Sequence, residues 1–105
     1  MKPLNTTEKI IGDIREGRMV IMTDDETREN EGDIVFAASR TTPEMVNFMM
    51  KFARGLICVP MTAERIQVLG LDQMNPYPED PMKTAFTVSV DAKTGVTTGI
   101  SAYDR

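Results

Sequence analysis

The sequence predicts a mixed α/β fold, a twisted mixed β-sheet with helices packed on it. Three observations predict it. Segments with apolar residues at helical spacing sit behind capping residues. Short β-branched and Met-rich runs, and one stretch of strict apolar–polar alternation, read as strands. The two kinds of segment interleave along the chain. The 105 residues suffice for one domain and not for two.

In order, Asn5, Thr6 or Thr7 caps a first helix with Ile10, Ile11 and Ile14 on one face, and Gly17 suits its stop. Arg18 to Met22 reads as a buried strand and Ile34 to Ala38 as a second. Thr42-Pro43-Glu44 combines a capping Thr, a Pro at the first helical position and an acid in the first turn. Met45, Phe48, Met49 and Phe52 then repeat at the spacing of one buried helical face, closed by Gly55. Leu56 to Pro60 is a compact apolar strand ended by its Pro. Thr62 caps a third helix carrying Ile66 and Leu69, with Gly70 as terminator. Residues 71–83 hold three Pro within Asn75–Pro81 and read as an irregular loop of the kind that often serves as a lid or binding loop. Thr84 to Asp91 alternates cleanly, with Phe86, Val88 and Val90 on one side, as a half-buried strand does. Ala92 to Gly95 is a turn. Ser101-Ala102-Tyr103-Asp104 resembles a capping box, which announces a helix, yet Arg105 is the last residue; a cut sequence and a chance match in a tail are both open readings.

The totals exclude several functions. A net charge of −4 with no basic stripe argues against a nucleic-acid surface, although one or two Arg suffice for a small phosphorylated substrate. No apolar run nears the length of a membrane span, the first residues lack the apolar core of a signal peptide, and a single Cys fits a reducing compartment, so a cytoplasmic location is expected. Histidine is absent. Catalysis must then fall to carboxylates, Cys58, a metal, or groups from elsewhere.

One stretch carries most of the candidate chemistry. Thr23 to Asp33 holds six carboxylates, Arg28, Asn30 and Gly32, without an apolar residue. A solvated loop between strands and a site for a hard cation both account for it, and as a pattern alone the solvated loop is the commoner. If the segment is extended, Glu29, Glu31 and Asp33 alternate onto one face and converge. An EF-hand is excluded, because setting Gly32 at its sixth loop position puts Ala38 where the bidentate Glu belongs. Cys58 in its apolar run reads as a small core residue or as a thiol facing a site, and the nine Met as core filler. Thr97-Thr98-Gly99 could present hydroxyl and backbone N–H groups to an anion, a weak signal by itself.

Taken together, Asp24 to Asp33, Arg54-Gly55-Leu56-Ile57-Cys58, Thr84 to Asp91 and Gly95 to Arg105 resemble, in order and spacing, the 3,4-dihydroxy-2-butanone 4-phosphate synthase family of riboflavin biosynthesis, from about residue 8 to the end. The resemblance implies conversion of ribulose 5-phosphate to 3,4-dihydroxy-2-butanone 4-phosphate and formate with Mg²⁺ or Mn²⁺, in a homodimer. It implies that Glu29 is a metal ligand and binds substrate, that Arg28 and Asp33 bind substrate, and that Glu31 assists proton transfer. It also implies that Cys58, in a catalytic role, and Thr97 and Thr98, as substrate contacts, line the pocket. Residues 75–83 depart from the Asn-Thr-containing loop of many members. The resemblance covers about the first half of the family's domain; the following half normally supplies a His in a Gly-His-Thr motif, the phosphate-binding residues and a catalytic Glu. The chain is therefore expected to be one truncated domain, inactive or nearly so alone and prone to self-associate. A non-enzymatic binding or assembly module with an acidic cation-binding loop is the alternative.

Overall fold

A computed structural model describes residues 4–105; Met1, Lys2 and Pro3, the start of the stretch read for a signal peptide, lie outside the described residues. The chain forms two compact units. The first comprises residues up to Ile57 together with Ser101–Tyr103 and Arg105, the second Cys58–Ile100 with Asp104.

In the first unit, helix α1 spans Thr7–Arg15. Of the three candidate caps, Thr6 is the one used: its hydroxyl oxygen accepts from the Lys9 N–H at 3.4 Å. Gly17, at φ +83°, turns the chain out of the helix as expected, and a Cβ there would meet the Arg40 side chain at van der Waals distance, 3.4 Å. Asp13 accepts from Lys9 at 2.9 Å and Arg18 at 2.6 Å, which ties the end of α1 to the residues leading into the first strand. Those two cations hold the Asp13 carboxyl below its ordinary pKa, Lys9 foremost.

Strand β1 spans Val20–Thr23 and pairs antiparallel with β2, Gly32–Val35, in the register Val20↔Val35, Ile21↔Ile34, Met22↔Asp33 and Thr23↔Gly32. Both strands exist where the sequence puts apolar runs, with ends shifted by one to three residues. The first is not a buried strand: Val20 is 8% exposed but Ile21 is 71% exposed. A two-stranded ribbon offers two faces, and side chains alternate between them, so one helix and its neighbours cannot cover both.

A 3₁₀ turn, Ala38–Arg40, leads to α2, Pro43–Phe48. Thr42 caps it by accepting from the Met45 N–H at 3.3 Å, and Pro43 occupies the first turn, where no N–H is required. From Met49 to Ala53 the helix loosens into a π turn, closed by the Arg54 N–H donating to the Met49 carbonyl at 3.1 Å. This corrects the single buried face expected of Met45, Phe48, Met49 and Phe52. The π turn takes more residues per revolution, so the heptad-like spacing loses its phase. Val46 is the residue that becomes buried, at 2% exposure, while Phe48 and Phe52 stack at 4.7 Å on an exposed surface. Arg54, at φ +62°, and not Gly55, makes the left-handed exit.

The expected strand at Leu56 to Pro60 does not form, and Leu56 is 81% exposed. A strand is defined by its partner, and no described segment hydrogen-bonds to this one as a ladder. In the second unit, α3 spans Ala63–Leu69, with the Thr62 hydroxyl accepting from the Arg65 N–H at 3.3 Å and Gly70 in the left-handed conformation at its end. Residues 71–83 are irregular, as expected. The alternating segment 84–91 does not become a full strand. It makes one isolated antiparallel bridge, Gln73↔Thr87, flanked by the Met74 N–H donating to Phe86 at 2.8 Å and the Val88 N–H to Asp72 at 2.9 Å. Phe86, Val88 and Val90 remain exposed. At the end, the Arg105 N–H donates to the Ser101 carbonyl at 3.0 Å, a single helical turn where the sequence announced a helix.

The architecture is mixed α/β, with helices and a small antiparallel sheet. Its core is thin. Val20 and Val46 are the only buried apolar residues among those described, and both lie in the first unit. The accessible surface is 9239 Å², against about 5900 Å² for a folded monomer of this mass. No helix among the described residues is long and apolar enough to cross a membrane.

Candidate functional site

The acidic stretch is the tip of the β1–β2 hairpin. Strand pairing fixes its two ends at Thr23 and Gly32, so the loop is held at the base by the register itself. Its interior is organised by one carboxylate, Asp24. Asp24 Oδ1 accepts from the Glu31 N–H at 2.8 Å, and Oδ2 accepts from the Glu29 N–H and from Arg28 Nη1, both at 2.9 Å. Asp25 forms a smaller turn inside it, accepting from the Thr27 hydroxyl at 2.6 Å and the Thr27 N–H at 2.8 Å. These bonds stabilise the ionised form. The amides of Glu31 and Glu29, then Arg28, hold the Asp24 carboxyl below its ordinary value. The Thr27 hydroxyl and amide do the same for Asp25. Two of the six carboxylates are thus spent on the shape of the loop, which explains part of the charge excess.

The remaining acids are presented to solvent. Arg28 Nη1 lies 3.4 Å from Glu29 Oε2, a second and weaker partner of the same guanidinium. Asp33 stands opposite Met22 in the ribbon, and Glu31 immediately precedes β2. Glu29 does not join them. Asn30 stands at φ +53°, and that left-handed residue breaks the alternation between Glu29 and Glu31. The expected convergence of Glu29, Glu31 and Asp33 is therefore corrected: among the described residues no three carboxylate, thiol or imidazole groups gather so as to hold a metal ion. A hard divalent cation fits this loop only through one or two carboxylates with its other oxygen ligands from elsewhere, a habit of Mg²⁺.

The other expected site residues belong to the second unit. Cys58 is exposed, which removes the core reading of its thiol. Thr97 is engaged with Asp104: its N–H donates to Asp104 Oδ1 at 3.1 Å and its hydroxyl to Oδ2 at 2.7 Å, while the Gly99 N–H donates to Oδ2 at 3.1 Å. Thr98 is exposed beside them. The structure thus brings Arg28, Glu29, Glu31 and Asp33 onto one hairpin, and places Cys58, Thr97 and Thr98 in the other unit. Sequence reasoning missed the two organising carboxylates. The signal for Asp24 was its position four residues before Arg28, and for Asp104 the Ser-x-x-Asp pattern that was read only as a helix start.

Comparison with known proteins gives one answer throughout. The family model described as 3,4-dihydroxy-2-butanone 4-phosphate synthase matches residues 8–105. The riboflavin biosynthesis protein RibBA of Aquifex aeolicus is 58% identical across 96% of this chain, and a 3,4-dihydroxy-2-butanone 4-phosphate synthase of Pseudomonas aeruginosa is 56% identical across 97%. The chain spans only 25% and 28% of those two proteins. A crystal structure of 3,4-dihydroxy-2-butanone 4-phosphate synthase in complex with two magnesium ions superposes with a TM-score of 0.92 at 44% identity, over 96% of this chain and 47% of that one. A cation-free form of such a synthase gives 0.86 at 42% identity, over 97% of this chain and 46% of that one. The chain belongs to the 3,4-dihydroxy-2-butanone 4-phosphate synthase family.

Proposed function

We propose that this chain is the first portion of one synthase domain and carries part of a site that converts ribulose 5-phosphate to 3,4-dihydroxy-2-butanone 4-phosphate and formate, a lyase reaction of riboflavin biosynthesis in the cytoplasm. The observation that carries this reading is the hairpin loop, where Asp24 fixes the backbone at Arg28, Glu29 and Glu31, with Asp33 following in β2 of the same hairpin. Glu29 supplies one carboxylate ligand to Mg²⁺ or Mn²⁺, and Arg28 holds that carboxylate in place and attracts the anionic substrate. A divalent cation so bound contributes Lewis acidity toward a substrate carbonyl. Asp33 accepts from substrate hydroxyls, Glu31 assists proton transfer, Cys58 takes a catalytic role, and Thr97 and Thr98 contact substrate.

One carboxylate loop does not hold the cation, clamp a phosphate and place an acid and a base together. The chain alone is therefore inactive or nearly so, and self-associates through its uncovered apolar surface, as a homodimer or larger assembly. The assay is formate release from ribulose 5-phosphate with Mg²⁺. Background release from the 105 residues is the expected result, and turnover comparable to a full-length synthase would overturn the partial-site reading.

A further inference from the structure

The sequence pattern Thr97-Thr98-Gly99 offers donors suited to an anion, and ribulose 5-phosphate carries one. In the structure those donors already hold an anion of the chain's own. The Thr97 N–H, the Thr97 hydroxyl and the Gly99 N–H all point at the Asp104 carboxylate, at 3.1, 2.7 and 3.1 Å. An ionised carboxylate only accepts, so the single proton of the Thr97 hydroxyl goes to Asp104. What Thr97 Oγ1 has left for a ligand is lone pairs. A second carboxylate crowds the same turn: Gly99 stands at φ +77°, and a Cβ there would lie 2.5 Å from Asp91 Oδ1. Two negative groups against one short loop repel a phosphate.

We infer that Asp104 is a positioning residue that commits the Thr97 and Gly99 donors of this loop, so that Thr97 meets substrate as an acceptor for sugar hydroxyls and not as part of a phosphate cradle. The inference deepens the functional reading above and rests on it for the identity of the substrate. It assigns the hydroxyl-bearing carbons of ribulose 5-phosphate, not its phosphate, to this turn. Gly99 suits this turn because its backbone sits in the left-handed region at φ +77°, where a side chain would be strained and would also displace the Asp91 carboxylate.

The test is a titration of the ¹⁵N-labelled chain at pH 7, followed at the Thr97 and Gly99 amides, with inorganic phosphate and, separately, with ribulose 5-phosphate and Mg²⁺. In the native chain inorganic phosphate leaves both amides unmoved. In Asp104→Ala the freed donors bind it, with affinity raised about tenfold or more, and both amides shift saturably. A merely structural role for Asp104 predicts lost dispersion without gained phosphate binding. If Asp104→Ala does not fold, Asp104→Asn carries the comparison, since it keeps the shape and removes the charge. Saturable phosphate shifts at these amides in the native chain, or none in either folded variant, would overturn the inference. Should ribulose 5-phosphate move no amide here or in Arg28–Asp33, the functional reading fails, while the phosphate comparison still decides the role of Asp104.

Discussion

Asp24 does for the hairpin loop what Asp104 does for the turn at Thr97. Each carboxylate gathers two backbone N–H groups and one side chain, and each turns a flexible, polar segment into a defined shape. The consequence for Asp24 is direct. Asp24→Ala leaves the Glu29 and Glu31 amides without their acceptor and Arg28 without its closer partner. Amide exchange at Glu29 and Glu31 should then rise sharply while α1 stays protected. Unchanged exchange at those two positions would show that the loop is held by something else. Acid should loosen the same loop. Asp24 and Asp25 both have folded pKa values below their ordinary ones. Their contribution is therefore present above the ordinary carboxylate range and is lost as pH falls through the depressed values. Chemical shifts of Thr27, Glu29 and Glu31 followed from pH 6 downward should move together in that lower window, and a transition centred at or above the ordinary Asp value would contradict the assignment. At this scale the sequence was partly readable. The charge excess, Arg28 and the spacing of Glu31 and Asp33 were visible, because they depend on composition and local geometry. The split between acids that build the loop and acids that face solvent was not. It depends on Asn30 entering the left-handed region, which no residue pattern here demands.

Helices were more legible than strands. Thr6, Thr42 and Thr62 each begin a helix by a hydroxyl accepting from the third residue on, and each was a visible cap. Replacing Thr62 by Ala should cost about 1 kcal/mol of local helix stability, read as faster exchange at Arg65 and Ile66. Gly17→Ala tests a terminus in the same way. A left-handed non-glycine residue costs about 1–2 kcal/mol, and Gly17 stands at φ +83°. A fall in thermal midpoint is expected, and no fall would mean that the chain leaves α1 by another route. Strands were less legible, for a physical reason. The runs at Leu56–Pro60 and Thr84–Asp91 have the composition of strands, but a strand is completed by a partner, and among the described residues they find one isolated bridge. The helical face at Met45–Phe52 failed differently. Its spacing presumes 3.6 residues per turn, and the π turn at Met49–Ala53 changes that number.

At the scale of the molecule, the two buried apolar residues among those described cannot offset the entropy of ordering a chain of this length. The excess of exposed surface, roughly 3300 Å² above the expectation for a compact monomer, is the size of a substantial interface. The chain spans about half the length of two of the solved synthases it matches. We expect association at micromolar concentration, measured by sedimentation, with the mass falling toward 11.7 kDa only on strong dilution. A single monomeric species with cooperative unfolding would contradict it. Calorimetric titration of ribulose 5-phosphate into the chain with and without Mg²⁺, repeated in Glu29→Ala, tests the central claim most directly. Heat that requires Mg²⁺ and is lost in Glu29→Ala is the predicted result. Binding that persists unchanged in Glu29→Ala, or that ignores the cation, would contradict the assignment of the hairpin loop as the metal-bearing part of the site.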